Sequence, residues 1–410
     1  MKSRHFDKIE WLLLGILVLT LVWTFGINYH VSRHVLDDDA SSEMMLAEVL
    51  HREKSLYSED FYYSTEYFVQ NQLVFGFLFN FFDGWANVRF IGTSIIQLLY
   101  LASFLFMMSQ SGIGRKGTLG GAVLLMLPFT VVYGRTILYH CYYVSNFMLE
   151  FLLMGLFFSF FRHPEASKGS VCFRGALLLI VSGLSCFLYV RQIILVMIPM
   201  MICLFFFLLA SSGVEPHSYR KWMLLPLAVL AAGALGMLLN TKLLIPSLDL
   251  YEQAEQNLGV LSSGAWGPII AAFFTQFGFR TGVKIFSPVG ILSLGGFFCA
   301  LVWGYRSVRD LFRTDIPDFR EYLMRTMLPA GLGLNLLIFI FGEIPFRLQS
   351  DYSRYLALAS VWIVPMICCQ WKQKESFPHI KRIITLLCTA LFVMNALFNG
   401  VSFLRSGSFG

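Results

Sequence analysis

The amino-acid sequence predicts an all-α polytopic membrane protein with about eleven transmembrane helices and a short juxtamembrane helix on its outer face. Two observations lead to this fold class. Hydrophobic residues make up 57% of the 410 residues and charged residues only 14%, against roughly 25% charged in ordinary soluble domains. Apolar stretches of about 17 to 22 residues recur along the chain, each long enough to cross a hydrocarbon layer of roughly 30 Å. Lipid is therefore predicted to surround most of the protein.

The first apolar stretch, residues 11–29, follows the basic residues Lys2, Arg4 and Lys8. Signal peptides have the same order, but this stretch has the length of a span and lacks a small-x-small cleavage site, so we interpret it as a retained helix. The chain is predicted to form a single transmembrane domain, residues 1–410. Its spans are predicted at residues 11–29, 88–108, 118–133, 145–161, 175–190, 193–210, 223–239, 286–304, 327–342, 355–371 and 383–400.

Basic residues predict the orientation, because cytoplasmic segments carry an excess of Lys and Arg. With the N-terminus inside, most of the 31 basic residues fall in predicted inner segments. The net charge of +6 therefore reflects membrane topology. Nucleic acid is not an expected partner, because these residues lie in short clusters between spans and do not line one face. We expect a multi-pass protein of a bacterial cell membrane, with a cytoplasmic N-terminus and the active face outward.

Two predicted outer segments are long, residues 30–87 and residues 240–285. Long, non-repetitive loops on a compact scaffold usually carry function or form a lid. Within the second loop, residues 266–279 are apolar and aromatic but too few to span the membrane. We expect this stretch to form a helix that lies along the membrane interface or re-enters partway.

The first outer loop opens with three consecutive aspartates, Asp37, Asp38 and Asp39. The residues after them predict a short amphipathic helix capped by Ser41 or Asp39. Its apolar stripe is predicted to consist of Met44, Met45, Leu46, Ala47 and Leu50. One aspartate has a structural explanation at a helix N-terminus, but three exceed what capping needs. A proton, a divalent cation such as Mg²⁺ or Mn²⁺, or a basic substrate group would stabilise the cluster. A solvated acidic turn is the alternative interpretation.

Residues 38–44 read Asp-Asp-Ala-Ser-Ser-Glu-Met and begin just after the first span. This segment resembles the first outer loop of the GT-C superfamily of membrane glycosyltransferases, which includes protein O-mannosyltransferases and lipid A aminoarabinose transferases. In that family an acidic pair and a juxtamembrane helix follow the first span. The resemblance covers the first hundred residues well and the remainder loosely, and the second acid here is Asp where many members have Glu.

The resemblance implies a sugar donor carried on a polyprenyl phosphate, an acceptor on the outer side and inversion at the anomeric carbon. It implies that Asp38 is the catalytic acidic residue and that Asp39 is its neighbour. The acidic residue would act as a base or as part of a metal site. Asp37, Glu59 and Asp60 are further candidates for substrate binding, although a solvated loop explains the last two equally well. The implied partners are a polyprenyl-phosphate-linked sugar, membrane lipids and an envelope acceptor, which is a lipid, glycan or protein.

A phosphate leaving group needs positive charge near the outer membrane surface. Arg135 and His140 lie in the predicted outer turn between the third and fourth spans, among tyrosines that an interfacial aromatic belt would also explain. Arg191 lies in a tight outer turn between the fifth and sixth spans. There it needs a partner, a water-filled cavity, or a side chain that reaches back to the interface.

The last outer loop contains Arg347, Asp351, Arg354 and Tyr355 immediately before a span. Several GT-C proteins are similar in having an Arg-Tyr pair in a late loop, which implies that Arg354 and Tyr355 contact the donor. Arg347 of the same loop is a further candidate for substrate binding. A surface salt bridge between Asp351 and either arginine is the structural alternative.

Other functions remain open. A transporter or flippase of a lipid-linked glycan would place ionisable residues near the bilayer midplane, whereas these spans are almost free of charge apart from Glu150. Internal repeats would favour a transporter, and the sequence shows none. A non-catalytic membrane partner would dock another protein through an exposed apolar patch of its outer loop. An O-antigen-type polymerase or ligase is an enzymatic rival, although its large outer loop usually comes late in the chain.

Overall fold

A computed structural model describes residues 6–59, 61, 63, 71–139, 143–163, 166–210, 222, 224–247, 257–258, 266–313, 318–343, 356, 360–372 and 379–406. Helices make up nearly all of this part of the chain, and many of them are long and apolar. The predicted fold class, an all-α multi-pass membrane protein, is confirmed.

The described helices lie along the whole length of the chain. In chain order they are α1 (Lys8–His34), α2 (Asp38–Glu53), α3 (Asn71–Leu78), α4 (Trp85–Gln110), α5 (Arg115–Leu125), α6 (Val131–Tyr133), α7 (Val144–Arg162), α8 (Lys168–Leu188), α9 (Ile198–Ala210), α10 (Leu225–Leu239), α11 (Trp266–Thr275), α12 (Pro288–Leu311), α13 (Phe319–Phe341), α14 (Ile363–Lys372) and α15 (His379–Ser406). Two short strands, β1 (Asn257–Leu258) and β2 (Gly342–Glu343), pair in antiparallel fashion.

Eight described helical stretches are long and apolar enough to cross a membrane. They correspond to α1, α4, α7, α8, α10 with its extension to Ser247, α12, α13 and most of α15. The other three predicted spans fall on shorter helices. Residues 118–133 coincide with α5 and α6, residues 193–210 with α9 and the turns before it, and residues 355–371 with α14.

Helix boundaries follow local sequence signals. Asp7 caps α1 and forms a capping box with Glu10. Ser287 caps α12 by accepting a hydrogen bond from the Gly290 amide, and Pro288 occupies the first helical position, where its missing N–H costs nothing. At the other end of α2, Lys54 adopts a left-handed conformation with φ of 52°, which terminates the helix.

Helix α7 is the most buried of the span-length helices, because 89% of its most apolar 18-residue stretch lies inside the structure. It packs along α4, where Phe151 stacks on Tyr100 and meets Phe104 edge-on. Small residues allow other helices to approach closely, since a Cβ at Gly236 of α10 would lie 2.0 Å from the Gly183 carbonyl oxygen of α8. Such small-residue contacts are typical of helices that pack within a membrane.

Three π-helical segments interrupt the regular helices, at Gly134–Tyr139, Ile193–Met197 and Asn240–Leu244. The first leads towards the start of α7, the second opens α9, and the third extends α10. An extra residue in a helical turn displaces the side chains that follow it, and π-helical turns are frequent at functional sites. Two of the three segments adjoin predicted site residues, Arg135 and Arg191.

Polar contacts divide the molecule into two ends. At one end, which we call the basic end, Lys116 pairs with Asp7 at 2.6 Å, Arg320 donates to the Gln110 carbonyl at 2.9 Å, and α12 joins α13. At the opposite end, which we call the acidic end, lie the α1–α2 connection, the starts of α4 and α7, and the end of α8.

Residues 266–285 run alongside α12 in the opposite direction. Phe273 faces Gly304, Phe277 faces Gly296, and the Lys284 backbone lies against Gly290. Helix α11 therefore lies beside a span-length helix.

Candidate active site

The three aspartates form the start of α2, directly after the end of α1. Val35 ends α1 and Asp37 caps α2, accepting a hydrogen bond from the Ala40 amide at 2.9 Å. The cap is thus Asp37, and the expectation of a cap at Ser41 or Asp39 is wrong. The reason is geometric: helical conformation already begins at Asp38, so only the residue before it has the extended backbone that a cap requires.

Asp37 also makes an ion pair. Its second carboxylate oxygen lies 3.1 Å from Nη2 of Arg135, which is part of the first π-helical segment. The side chains of Arg135 and Asp37 remain 43% and 22% exposed, so water screens the pair and its contribution to stability is small. The pair nevertheless brings together two predicted site residues that are distant in sequence.

Asp38 and Asp39 occupy the first turn of α2 and are exposed to solvent. Asp38 forms no ion pair with a basic side chain in the described part of the chain. Of the triplet, Asp37 is occupied by capping, whereas Asp38 and Asp39 project from the helix.

A buried carboxylate lies one turn further along α2. The Glu43 side chain is 5% exposed and accepts a hydrogen bond from Asn71 Nδ2 at 3.0 Å. The Ser145 hydroxyl in turn donates to Oδ1 of Asn71 at 2.9 Å. Burial raises the pKa of Glu43 to about 7, although Asn71 and the charge of Arg89 act in the opposite direction. Glu43 therefore changes its ionisation near neutral pH.

Glu43 belongs to the motif of residues 38–44 but was not predicted to be a site residue. The signal was its spacing: Ala40, Glu43, Met44, Ala47 and Leu50 are all buried and share one helical face. Met45, predicted to belong to the apolar stripe, is instead 51% exposed. A glutamate on a buried helical face is more informative than its residue type alone suggests.

Arg89 is the second residue that sequence reasoning missed. It lies in the first turns of α4, is 2% exposed, and donates from Nη1 to the Val35 carbonyl oxygen at 2.6 Å. The available signal was a charge inside the predicted span 88–108, because an ionisable residue in such a position needs a partner.

Arg191 follows the end of α8 and is partly buried, and its backbone carbonyl accepts from the amides of Ile194 and Leu195 as the second π-helical segment begins. The neighbouring Gln192 donates to the Asn146 carbonyl at 2.8 Å. Asn146 follows Ser145, which contacts Asn71. The turn that carries Arg191 therefore packs against the same end of α7 that supports Glu43.

The remaining predicted residues fall into two groups. Glu59 is described and lies exposed beyond the end of α2. The other predicted residues lie outside the described part of the chain, and they are Asp60, His140, Arg347, Arg354 and Tyr355. Their roles stay predictions.

The described residues contain no cluster of three or more His, Cys, Asp or Glu side chains that could hold a metal ion. The oxygen donors of Asp38 and Asp39 suit Mg²⁺ or Mn²⁺, and Mg²⁺ is often held by one or two carboxylates with water and substrate phosphate as the other ligands. A cation bound by these two aspartates stays a prediction.

An apolar cavity lies elsewhere, between α11, α12 and α13. It has a volume of about 520 Å³ and is lined by residues such as Trp266, Phe273, Tyr305 and Leu332. This volume is in the range of pockets that hold small molecules. Its nearly uniform hydrocarbon lining suits an aliphatic chain.

Comparison with known proteins gives a match at the level of structure. No family model matches the sequence, and no curated protein does. Among solved structures, the chain is similar to the oligosaccharyltransferase of Archaeoglobus fulgidus in a crystal structure tethered with an acceptor peptide, with a TM-score of 0.53 and 11% identity. The match covers 97% of this chain and 56% of the archaeal one. This chain thus spans little more than half the length of the archaeal enzyme.

The class that follows is a polytopic membrane protein with a GT-C-like fold. At 11% identity the likeness shows the fold alone.

Proposed function

We propose that this protein is a membrane glycosyltransferase that moves a sugar from a polyprenyl-phosphate donor to an envelope lipid, glycan or protein on the outer side of a bacterial membrane. The observation that carries the proposal is the start of α2. There Asp38 and Asp39 project from a helix that Asp37 caps, directly after the first span of a GT-C-like scaffold.

Asp38 is the proposed catalytic base. It accepts the proton of the acceptor hydroxyl while the hydroxyl oxygen forms a bond to the anomeric carbon of the sugar. The bond between that carbon and the phosphate oxygen breaks, and its electron pair leaves with the polyprenyl phosphate. Attack from the side opposite the leaving group inverts the anomeric configuration. Asp38 suits this role because it is exposed and unpaired among described basic residues, whereas Asp37 is engaged by Arg135.

The departing phosphate requires positive charge. Arg135 lies at the acidic end beside Asp37, and Arg191 lies in a turn packed against the start of α7. We propose that these arginines, together with Arg347, Arg354 and Tyr355 of the late loop, bind the phosphate. Guanidinium groups bind phosphate oxygens through paired hydrogen bonds, which fixes orientation as well as charge.

A lipid-linked donor also needs an apolar site. The cavity between α11, α12 and α13 supports a substrate with a hydrocarbon chain, because its lining offers almost no hydrogen-bonding groups. If a divalent cation takes part, Asp38 and Asp39 are the residues that would hold it, and the cation would supply charge for the phosphate.

The proposal is tested by reconstituting the protein into liposomes with a panel of polyprenyl-phosphate-linked sugars and envelope extracts as acceptors. Release of free polyprenyl phosphate is measured by mass spectrometry. We expect release with at least one donor, above protein-free liposomes. Absence of release with every donor, from protein that is monodisperse and folded, would contradict the proposal. Addition of EDTA distinguishes a cation at Asp38 and Asp39 from an aspartate acting alone.

A flippase is the second candidate, and Glu150 favours it. This glutamate lies within the span-length helix α7, is 1% exposed and is hydrogen-bonded by the indole of Trp362. An ionisable residue inside a span is a functional candidate by default. Transfer of a fluorescent polyprenyl-phosphate sugar between leaflets of the same liposomes, without release of polyprenyl phosphate, would favour this function.

A further inference from the structure

Arg89 holds one end of the segment that carries the three aspartates. Its Nη1 donates to the Val35 carbonyl at 2.6 Å, two residues before Asp37. Its Nη2 is buried and has no hydrogen-bond partner in the described part of the chain. Burying a guanidinium without full hydrogen bonding is costly, so Arg89 depends on the hydrogen bond to Val35 that it does make.

Glu43 lies at the other end of the same segment. It is buried and attracts Arg89 electrostatically. Asn71 of α3 and Ser145 of α7 connect Glu43 to the helical scaffold through hydrogen bonds of 3.0 and 2.9 Å. The residues from Val35 to Glu43, which include the whole aspartate triplet, are therefore held at both ends by buried hydrogen bonds, from Arg89 to the Val35 carbonyl and from Asn71 to the Glu43 carboxyl group.

We propose that Arg89 and Glu43 form a clamp that positions the aspartate triplet, and that the ionisation state of Glu43 sets how firmly α2 is docked on the scaffold. Neither residue is proposed to touch substrate, so both are positioning residues. The consequence for sugar transfer rests on the proposed function, whereas the docking itself does not.

The direction of the pH effect follows from the groups around Glu43. These are Asn71 from α3, Arg89 from α4, and Asp37 and Asp39 from its own helix. Burial and the two aspartates favour the protonated form, and Arg89 and Asn71 favour the ionised form. Because burial is the largest influence, the docked state raises the pKa of Glu43 from about 4.5 to about 7.

A pKa raised in the docked state means that docking is strongest while Glu43 is protonated. The stabilising contribution is fully present below about pH 4.5, is lost progressively as the pH rises towards about 7, and changes little above that value. The clamp therefore loosens as the outer medium becomes less acidic. A purely structural polar network without titration would give no such profile.

The experiment is hydrogen–deuterium exchange of the full chain in nanodiscs, between pH 5 and pH 8. Protection of residues 36–46 is expressed relative to the intrinsic exchange rate at each pH. For the wild type we expect protection to fall by a factor on the order of ten to one hundred across this range, with a plateau near pH 7.5. Peptides from α8, which contains no Asp, Glu or His, serve as the internal reference in the same samples.

Two variants test the clamp separately. Glu43→Gln retains the shape and an acceptor for Asn71 but does not titrate, so its protection is expected to be flat and higher than that of the wild type at pH 8. Arg89→Gln removes the cation that lowers the pKa of Glu43, so the loss of protection is expected to continue to higher pH. Glu53→Gln, at an exposed glutamate in the last turn of the same helix, is the matched control and is expected to follow the wild type.

A flat wild-type profile, or a Glu43→Gln profile with the slope of the wild type, would overturn the proposal. If the pH midpoint of the loss of protection is unchanged in Arg89→Gln, Arg89 is not part of the clamp. If a variant fails to fold, the wild-type profile alone still decides whether α2 docking titrates. The measurement requires no enzymatic turnover, so absence of glycosyl transfer would contradict the proposed function without affecting this result.

Discussion

The two ends of the molecule use charged residues in opposite ways. At the basic end, Asp310 is 2% exposed and both of its carboxylate oxygens are engaged, by Arg309 at 3.1 Å, Arg313 at 3.3 Å and Arg325 at 3.0 Å. At the acidic end, Asp38 and Asp39 are exposed, and only Asp37 of the triplet has a structural explanation as a cap.

The difference shows how a structural carboxylate can be distinguished from one available for chemistry. Asp310 is surrounded by guanidinium groups, and its ion pair with Arg325 joins α12 to α13. Arg325 also pairs with Glu321 of its own helix at 2.7 Å. The hydrogen-bonding capacity of Asp310 is used. The exposed Asp38 forms no ion pair with a described basic side chain, and Glu43 and Arg89, which are proposed to hold its helix in place, are buried. The following predictions test this contrast.

The largest effect on stability is expected from Asp310→Asn. The substitution removes the charge that compensates Arg325, whose side chain is 1% exposed. Breaking a buried ion pair by removing one partner typically costs about 3–5 kcal/mol. We expect a marked fall in the thermal unfolding midpoint in detergent, with any surviving folded protein retaining the proposed glycosyl transfer. An unchanged midpoint would show that Asp310 is not a structural anchor.

A medium effect is expected from Asp37→Ala. This change removes both the cap on the Ala40 amide and the ion pair with Arg135. Loss of a helix cap costs about 0.5–2 kcal/mol. Protection of the first turn of α2 against hydrogen exchange is expected to fall by the corresponding factor. Asp37→Asn is the control, because asparagine caps a helix equally well and loses only the ion pair.

The smallest effect is expected from Arg135→Gln. The ion pair with Asp37 is partly exposed, and pairs of this kind contribute about 0–1 kcal/mol. The unfolding midpoint should change little, whereas the proposed binding of the donor phosphate should weaken. A large loss of stability with unchanged donor binding would show that Arg135 stabilises the fold and does not bind the donor. Donor binding is measured with a fluorescent polyprenyl-phosphate sugar.

The sequence was sufficient for the fold class and for the helix that carries the triplet. Span-length apolar stretches define α1, α4 and α7, and the amphipathic pattern after Asp37 defines α2. These features depend on local periodicity and on transfer of side chains from water to lipid, both of which are readable from residue order.

The supports of the site were not predicted, for reasons that are also physical. Asn71 donates to Glu43 from 28 residues away, and Ser145 donates to Asn71 from 74 residues away. Hydrogen bonds between such distant positions leave no local signal in the sequence. Arg89 falls inside the predicted span 88–108, and its partner, the Val35 carbonyl, lies 54 residues away in sequence. The π-helical turn that directs Arg135 towards Asp37 depends on tertiary packing, because a Cβ at Gly134 would lie 2.5 Å from the ring of Phe403. Residue types alone therefore identified the aspartates but not what holds them.

The central claim is that an exposed aspartate at the start of α2 performs the chemistry. Its most direct test compares Asp38→Asn with Asp83→Asn, which neutralises another exposed aspartate between α3 and α4. Both proteins are reconstituted with the donor found in the liposome panel, and release of polyprenyl phosphate is measured. We predict that Asp38→Asn lowers the rate by about 100-fold or more, the usual contribution of a general base, with an unchanged unfolding midpoint. Asp83→Asn should retain the wild-type rate. Equal rates for Asp38→Asn and the wild type would contradict the claim.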